Sequence, residues 1–430
     1  MRVRSLARVR SALAVVLAVV LAAVFASSAA ARAPTNEEQL MMEMVNRMRA
    51  NPQAELNRLV NINTVPSVFW GTPKSSDSST ANALNFFQVN ATSLYTQWQA
   101  LTPAPPVAWN ENLAVSAHTY STVMIDADAQ AHDLDVHKDQ FGDVDLIGRI
   151  EASGYTFIDR PASNDEDYAG ESIFAFANNV LHGHAAFAID WGQNPPSGIQ
   201  NPAGHRDLIM DVRMREIGIG IIAENNVSTS VGPRVITQHF AVDDDRGPFL
   251  TGVVYRENDG NSFYSVGEGL GGITVVATDL GNGQKYTAAT YGSGGYNMAL
   301  PSGRSYDIVA SGPGLGQFSA TGVFIGTDNV KHDFITTSTP ILGDANMDGL
   351  VNRADIAIVS GHFGMNTDAL WGDGDFNFDR RVTMADLMIL QRNLSAAASP
   401  VAVPEPASWL LAASAVGMAT LVRRHRRAIA

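Results

Sequence analysis

Two acidic segments near the C-terminal end have the side-chain spacing of loops that bind a hard divalent cation. Oxygen-bearing side chains stand at positions 1, 3, 5, 9 and 12 of each segment, and position 7 offers its backbone carbonyl. A calcium ion takes about six to eight oxygen ligands, which this spacing supplies, so we predict two calcium loops. The ligands would be Asp344, Asn346, Asp348, Leu350, Asn352 and Asp355 in loop 1, and Asp375, Asn377, Asp379, Arg381, Thr383 and Asp386 in loop 2.

A short apolar segment with helical character follows each acidic loop, at 356–359 and at 387–390. Paired calcium loops with one helix each resemble the dockerin type I module, and the resemblance covers residues 342–394. It implies a small α-helical, EF-hand-like fold that binds Ca²⁺ and docks onto a cohesin-like module or another surface protein. Arg380 departs from the pattern, because it replaces the glycine at the sharp turn of loop 2. A side chain is unfavourable there, so we expect loop 2 to bind calcium more weakly.

Residues 249–337 are rich in glycine, threonine, tyrosine and valine, and short alternating apolar runs recur between turn signals. This pattern predicts an all-β sandwich. The runs at 252–255 and 267–275 and the turn at 300–303 resemble the B-type repeats of bacterial surface adhesins. The resemblance implies a prealbumin-like sandwich, which we expect to act as a spacer.

A third candidate cation loop lies between the first two runs of this β-rich segment. Acid and amide side chains stand at positions 1, 3, 5 and 12, while serine replaces the glycine of position 6. Two interpretations stay open, a calcium loop or a polar hairpin without metal. The residues concerned are Glu257, Asp259, Asn261, Phe263 (through its carbonyl) and Glu268.

The N-terminal part, residues 34–245, combines helical and strand patterns. Apolar residues recur at helical spacing over 37–59, where Pro52 is an expected interruption, and a second helix is predicted from Asn110. The polar stretch 61–105 is typical of an insertion. Isoleucine- and valine-rich runs near residues 220 and 238 predict paired buried strands. We therefore predict an α+β domain in which helices pack on a small antiparallel sheet.

Several short motifs of this domain resemble the CAP superfamily, also called the SCP domain. They are Asn-x-x-Arg at 46–49, Trp-Asn-Glu-Asn-Leu-Ala at 109–114, Gly-Glu-Ser at 170–172, Gly-His-Arg at 204–206 and Ile-Gly-Ile-Gly at 217–220. The resemblance implies an α-β-α sandwich with a cleft of two histidines and two acids. Residue by residue these fall on His132, Glu171, Asp190 and His205. Asp190 replaces the glutamate of the family pattern, and Phe187 stands where a tryptophan is usual.

Two imidazoles and two carboxylates are compatible with three kinds of chemistry. They form a hydrogen-bonded cluster, bind Zn²⁺ or another divalent ion, or act as an acid–base pair. No Gly-x-Ser-x-Gly or His-Glu-x-x-His motif accompanies them. The resemblance favours binding of a lipid, glycan or protein ligand over catalysis. An extracellular hydrolase of peptides or polysaccharides is the alternative.

Both ends of the chain carry segments typical of export. Residues 1–33 contain arginines, an apolar run and small residues, the pattern of a signal peptide. Residues 403–427 contain a Pro-Glu-Pro spacer, an apolar stretch and a basic end, and they resemble the PEP-CTERM sorting signal. That resemblance implies recognition by an exosortase-type enzyme. We expect residues 34–400 in the cell envelope, at the cell surface or in the medium, with membrane contact only through the terminal segments.

Charge and composition exclude several other classes of function. The chain of 430 residues has 29 basic and 43 acidic residues, a net charge of −14. An acidic body repels phosphate, which opposes nucleic-acid binding. The absence of cysteine excludes disulfides, thiolate metal sites and cysteine nucleophiles. We therefore predict an exported multidomain binding protein with a calcium-stabilised dockerin.

Overall fold

The structure is a computed structural model that describes residues 32–61, 71–134, 145–157, 169–242, 246–337, 339–367 and 369–394. The chain divides into two compact units between Thr339 and Pro340. The predicted signal peptide, apart from its last two residues, and the whole predicted sorting signal lie outside the described residues. Among the helices of the described ranges, none is long and apolar enough to cross a membrane.

Unit 1 begins with two helices that meet at a proline. The first, α1 (Asn36–Ala50), starts at a capping box formed by Thr35 and Glu38. The second, α2 (Pro52–Leu59), starts directly at the proline that we expected to interrupt the pattern. Proline suits the first turn of a helix but removes a hydrogen bond from the interior, so the two helices stay separate.

The stretch expected as a polar insertion contains two further helices, α3 (Ser78–Phe86) and α4 (Ala91–Gln99). Side chains of Asp77 and Asn90 cap them. Each helix places apolar residues in the core, including the fully buried Trp98. The sequence pattern missed these helices because serine, threonine and asparagine dominate their exposed faces.

A four-stranded sheet is the centre of the N-terminal domain. Its strands are β1 (Ala108–Trp109), β2 (Ala169–Ala177), β3 (Glu216–Ala223) and β4 (Arg234–Ala241), in the order β1-β3-β4-β2. The long strands pair antiparallel, and β1 pairs parallel with β3. The remaining helices of the domain are α5 (Glu111–Ala127), α6 (Leu146–Ala152), α7 (Val180–Ile189) and α8 (Gly204–Met210).

Helices cover both faces of this sheet, and the alternation of glycine and isoleucine in β3 explains why. A Cβ atom on Gly218 would lie 2.1 Å from the backbone nitrogen of Ala114, so glycine lets α5 lie directly on the sheet. The isoleucines between the glycines point the other way, because strand side chains alternate. Ile217 and Ile219 join the core formed with α1 and α7.

Two further sheets form a β-sandwich with a shared apolar core. The strands are β5 (Phe249–Arg256), β6 (Thr274–Asp279), β7 (Lys285–Ala289), β8 (Gly295–Ala299), β9 (Arg304–Gly312), β10 (Gly316–Ile325), β11 (Val330–Lys331) and β12 (Phe334–Thr336). One sheet has the order β10-β9-β6-β7, and in the other β5 pairs with β8, β11 and β12. Leu250 and Val254 of one sheet belong to the same apolar cluster as Val275 and Ile308 of the other.

The sandwich packs directly on the N-terminal domain and does not separate from it as a spacer would. Tyr255 and Tyr264 are buried in a small cluster that contacts Leu40 of α1. Lys331 forms an ion pair of 2.8 Å with Glu43, whose side chain is 2% exposed. A buried ion pair is costly to break, so the two domains form one unit.

Unit 2 contains two helices, α9 (Arg353–His362) and α10 (Met384–Asn393), with a short 3₁₀ helix at Trp371–Asp373. Its core is built from equivalent positions of the two acidic repeats, which include the pairs Val351 with Val382 and Val359 with Leu390. The acidic loops lie immediately before the helices, as the sequence pattern predicts.

Candidate functional site

Loop 1 is organised by two buried aspartates that accept backbone N–H groups. Asp344 accepts hydrogen bonds from the N–H groups of Asp348 (3.2 Å) and Gly349 (2.8 Å). Asp355 is fully buried and accepts the N–H of Ala345 (2.9 Å). These bonds fold the segment into a turn that directs side-chain oxygens inward.

Loop 2 repeats the same bonds at the equivalent positions. Asp375 accepts the N–H groups of Asp379 (3.2 Å) and Arg380 (2.8 Å). Asp386 is fully buried and accepts the N–H of Phe376 (3.0 Å). The other predicted ligands lie in the same two loops, with Asn346, Asp348 and Asn352 beside the exposed Leu350 in loop 1, and Asn377, Asp379 and Thr383 beside Arg381 in loop 2.

The electrostatics of both loops favour a bound cation. Burial, together with the charges of Asp355 and Asp348, raises the pKa of Asp344. Burial and the neighbouring acids likewise raise the pKa of Asp375 to about 6. The charged form of these carboxylates is therefore unfavourable when no cation is near them. A divalent cation would reduce the repulsion between the carboxylates. The donor set of carboxylate, amide and carbonyl oxygens is the set that Ca²⁺ prefers.

The two loops differ at the residue where the chain turns sharply. Gly349 has φ of +88° in loop 1, and Arg380 has φ of +65° in loop 2. This left-handed region is easy for glycine and strained for a residue with a Cβ atom. Loop 2 therefore has backbone strain at Arg380, the residue that replaces the glycine of the calcium-loop pattern.

Trp371 connects the two loops and was not singled out by the sequence reasoning. Its indole N–H donates a hydrogen bond of 2.6 Å to the carbonyl of Asp344 in loop 1. Its ring stacks on Phe378 of loop 2, with ring centroids 5.6 Å apart. The side chain is 1% exposed. A lone tryptophan between two polar loops is the signal that could have indicated this central packing role.

The third candidate loop brings its three acids together. Oxygen atoms of Glu257, Asp259 and Glu268 lie within 4.8 Å of one another. Oε2 of Glu257 is buried and has no hydrogen-bond partner in the described part of the chain. Asn261 donates to Asp259 (2.9 Å) and accepts the N–H of Phe263 (2.6 Å). This buried oxygen is one that a cation could bind.

In the N-terminal domain, Glu171 is the centre of a hydrogen-bonded cluster. The structure brings it to Nδ1 of His132 at 2.8 Å. Nε2 of His239 lies 2.7 Å from the same carboxylate, and Arg149 donates to it at 2.9 Å. The guanidinium of Arg149 also lies over the ring of Tyr120, 4.2 Å from its centroid.

These contacts stabilise the charged form of a buried acid. Burial alone would raise the pKa of Glu171, but hydrogen bonds from His132 and His239 and the charge of Arg149 lower it to about 2. The Glu171 side chain is 3% exposed, whereas His132 is 56% exposed. Because Nδ1 of His132 is held by the carboxylate, Nε2 is the ring nitrogen left for a ligand.

Asp190 and His205 form a second pair. Asp190 is fully buried at the left-handed C-cap of α7. Its Oδ1 lies 2.8 Å from Nδ1 of His205, and its Oδ2 accepts the backbone N–H of the same residue at 3.0 Å. The carboxylate therefore fixes the orientation and the tautomer of the His205 ring.

The structure arranges the four side chains as two hydrogen-bonded pairs. A Cβ atom on Gly170 would lie 2.4 Å from Leu208, so this residue faces α8, the helix that carries His205. The next residue, Glu171, must face the other way. Within the described ranges, only the loop of Glu257 groups three or more histidine or acid ligand atoms within 4.8 Å.

His239 and Arg149 complete the Glu171 cluster, and the sequence reasoning did not select them. His239 lies opposite Glu171 in the β2–β4 register, so both side chains share a sheet face. A histidine within an apolar strand is a signal that could have found it. Arg149 lies on the short helix α6, and nothing in the local sequence marks it as a partner of Glu171.

Comparison with solved structures gives low similarities. An extracellular protein containing an SCP domain from Bacillus anthracis str. Ames is 20% identical with a TM-score of 0.23, over 36% of this chain and 38% of that one. A putative carbohydrate-binding protein from Bacteroides uniformis is 18% identical with a TM-score of 0.17, over 21% of this chain and 41% of that one. The chain thus spans well under half of both proteins. CAP membership stays a prediction.

A cohesin–X–dockerin complex from Acetivibrio cellulolyticus is 17% identical with a TM-score of 0.17, over 34% of this chain and 96% of that one. Comparison with curated proteins found no match. Residues 342–395 match the dockerin type I domain family, whose members bind calcium. The predicted dockerin resemblance is confirmed, and this part of the chain is a dockerin type I domain.

Proposed function

We propose that this protein is exported and held outside the cell, where its calcium-loaded dockerin domain docks it onto a cohesin module of another protein. The duplicated loops carry this proposal, because both have the same hydrogen bonds and both bring acidic side chains close together. Calcium would order the loops and with them the helices that follow.

Exposed apolar side chains on α10 support a docking role for that helix. Met384 is 58% exposed and Met388 is 46% exposed. The equivalent positions of α9, 31 residues earlier, are Arg353 and Ala357. The two repeats therefore present different surfaces, and we propose that the methionine face of α10 contacts the cohesin. Flexible methionines suit an apolar protein interface.

A binding assay against immobilised type I cohesin modules tests this proposal. The chain should bind in calcium and be released by chelator. Replacing both methionines (Met384→Asp and Met388→Asp) should abolish binding, whereas Val227→Asp, at a fully exposed position of unit 1, should not. Binding that persists in chelator, or that ignores the double change, would contradict docking through the calcium-loaded α10.

We propose that the N-terminal domain is a CAP-type binding module displayed by this attachment. Its acids are already neutralised by protein groups, since Glu171 pairs with two histidines and an arginine. No nucleophile motif accompanies them. This supports ligand binding over covalent hydrolysis.

A hydrolase is the second candidate, and the His132–Glu171 pair is the observation that favours it. A half-exposed imidazole held by a buried carboxylate has the arrangement of an oriented general base. A screen of peptide and polysaccharide substrates decides between the two. Turnover that disappears in His132→Ala would establish the hydrolase, and its absence in the wild-type protein favours the binding module.

We do not retain zinc in the proposed cleft, because Arg149 already occupies one side of the Glu171 carboxylate. A guanidinium beside a divalent cation is electrostatically unfavourable. Calorimetric titration of zinc into the wild-type protein, His132→Ala and His205→Ala should give equal, weak signals. A wild-type signal that both substitutions remove would restore the metal site.

Calcium in the third loop is a separate proposal, supported by the orphaned oxygen of Glu257. The substitution Glu257→Gln keeps the shape of the side chain and removes its charge, so it should remove one calcium site. Unchanged calcium stoichiometry in this variant would leave the loop as a polar hairpin.

Export and envelope retention are proposed from the terminal segments alone. Deletion of residues 404–430 should release the protein into the medium, because it removes the spacer, apolar stretch and basic end together. Continued retention in the envelope would mean that another part of the chain, such as the dockerin domain, is the anchor.

A further inference from the structure

An aromatic cavity lies beside the Asp190–His205 pair, at the edge strand β2. Its volume is about 280 Å³, just below the usual range for ligand pockets. Four rings belong to its wall, and Phe176, 44% exposed, stands among its lining residues. The four are Phe87, Phe174, Phe187 and Trp191.

The rings of the wall are placed to receive another ring. Phe87 lies nearly parallel to Trp191, with centroids 6.5 Å apart and an interplanar angle of 15°. Phe174 meets Trp191 edge to face, at 6.4 Å and 75°. Aromatic rings prefer offset-stacked and edge-to-face neighbours, and such pairs add about 0.5–1.5 kcal/mol beyond the area they bury. A planar aromatic ligand would find both kinds of neighbour here.

His205 adds a directional polar group to a wall whose other polar side chains are Gln130 and Gln200. Its Nδ1 is bonded to Asp190, and its ring lies 5.5 Å from that of Phe187. Nε2 makes no hydrogen bond to the described residues, so in the neutral ring it is a free acceptor. An apolar ring that carries a hydrogen-bond donor would therefore find both an aromatic wall and an acceptor here.

The charges behind the cavity do not call for an anionic ligand. Asp190 is fully buried and bonded to His205, and the charge of the buried Arg206 acts on the same carboxylate. A neutral hydroxyl would donate to Nε2 without adding a further charge to this buried pair.

We infer that this cavity binds a neutral phenolic ring, whose hydroxyl donates to Nε2 of His205. The inference rests on the binding role proposed for the N-terminal domain and names its ligand class. Two sources carry this chemistry, a free phenol and a tyrosine side chain of a peptide. Glu171 is not among the residues that line the cavity in the described part of the chain.

Calorimetry on residues 34–400, which include both compact units, tests the inference with four probes. The probes are p-cresol, toluene, cyclohexanol and N-acetyl-tyrosinamide. We expect p-cresol to bind at one site, about two- to tenfold more tightly than toluene, the range expected for one net hydrogen bond. Cyclohexanol, which has the hydroxyl but no aromatic ring, should bind more weakly than p-cresol.

Three variants locate the site. His205→Asn keeps a donor for Asp190 but removes the acceptor at the position of Nε2. The affinity for p-cresol should therefore fall to that for toluene, while the affinity for toluene should not change. Retained toluene binding also shows that the cavity remains folded. Ala186→Leu fills the cavity and should abolish the binding of both p-cresol and toluene. His362→Asn, an exposed histidine of the dockerin domain, is the matched control and should change nothing.

Equal affinity for p-cresol and toluene in the wild-type protein would overturn the inference, as would binding of cyclohexanol equal to that of p-cresol or no binding at all. Binding of N-acetyl-tyrosinamide comparable to p-cresol identifies a peptide tyrosine as a source, and binding of p-cresol alone identifies free phenols. Cohesin binding, measured on the same protein, is independent of this result. A cavity that does not bind phenols is thereby distinguished from a dockerin domain that does not bind cohesin.

Discussion

The dockerin loops and the N-terminal domain hold buried carboxylates in opposite ways. Glu171 has two histidines and an arginine around it, and its pKa is lowered to about 2. Asp375 has backbone N–H groups and other acids around it, and its pKa is raised to about 6. The charge of the first acid is neutralised by protein groups. The second is surrounded by like charges, so we expect the fold of unit 2 to depend on calcium and the Glu171 cluster of unit 1 not to depend on it.

The largest expected effect is that of chelator on thermal unfolding. A domain of about 50 residues has a small core and is rarely stable without a metal or disulfide. In chelator, residues 34–400 should lose the transition of unit 2 and keep that of unit 1. Calcium should restore it. If scanning calorimetry shows both transitions unchanged in chelator, the two units do not differ in their dependence on calcium.

A substitution in the N-terminal cluster should have the next largest effect. Glu171→Gln leaves Arg149 and His239 without their charged partner, which costs about 3–5 kcal/mol for a buried ion pair. Unit 1 should therefore melt at a lower temperature, with unit 2 unaffected. Glu151→Gln, an exposed glutamate on α6, is the control and should change stability by less than about 0.5 kcal/mol. Equal effects of the two changes would mean that the cluster does not stabilise the domain.

The pH dependence should separate the two units as well. Below the raised pKa of Asp375, protons compete with calcium, so affinity in loop 2 should fall by about tenfold at one pH unit below it. Glu171 has a lowered pKa, so its stabilisation is present above about pH 4.3, the value in the unfolded chain, and is lost only as the pH falls towards 2. Between pH 7 and pH 5, calorimetry should show weaker calcium binding and little change in the unfolding of unit 1. A parallel loss in both would contradict this assignment.

The smallest expected effect is the difference between the two calcium loops. Arg380 has a left-handed backbone conformation, which costs about 1–2 kcal/mol relative to glycine, so loop 2 contributes less binding energy. Asp344→Ala should therefore lower the melting temperature of calcium-loaded unit 2 more than Asp375→Ala does. Arg380→Gly should strengthen loop 2 and reduce the difference. A larger loss from Asp375→Ala would reverse the predicted order of the sites.

The same contrast explains how much could be predicted from sequence. All ligands of a dockerin loop lie within twelve residues, so spacing alone placed Asp344 near Asp355. The histidines and acids of the N-terminal domain lie far apart in sequence, and the face of β2 to which each points depends on packing. Gly170 contacts Leu208, which directs Glu171 away from His205. No spacing rule includes that contact, and the CAP resemblance named the four side chains without predicting that they form two hydrogen-bonded pairs.

The aromatic cavity shows a related limit. Its rings come from the C-terminal end of α3, from β2, from α7 and from the residues that follow α7. Each ring alone is typical of an ordinary core residue. Only the fold brings Phe87 to Trp191, more than 100 residues later in the chain. Aromatic residues in a single sequence therefore predict burial, and the structure is needed to find the space between them.

Calcium titration into residues 34–400 tests the central claim most directly, because it counts the sites at which acidic side chains bind calcium. The comparison is between the wild-type protein and the double variant Asp344→Ala with Asp375→Ala, each followed by calorimetry. The account predicts that the number of bound calcium ions falls by two in the variant and that the transition of unit 2 is lost with them. An unchanged number of sites, or an intact transition of unit 2 without calcium, would contradict it.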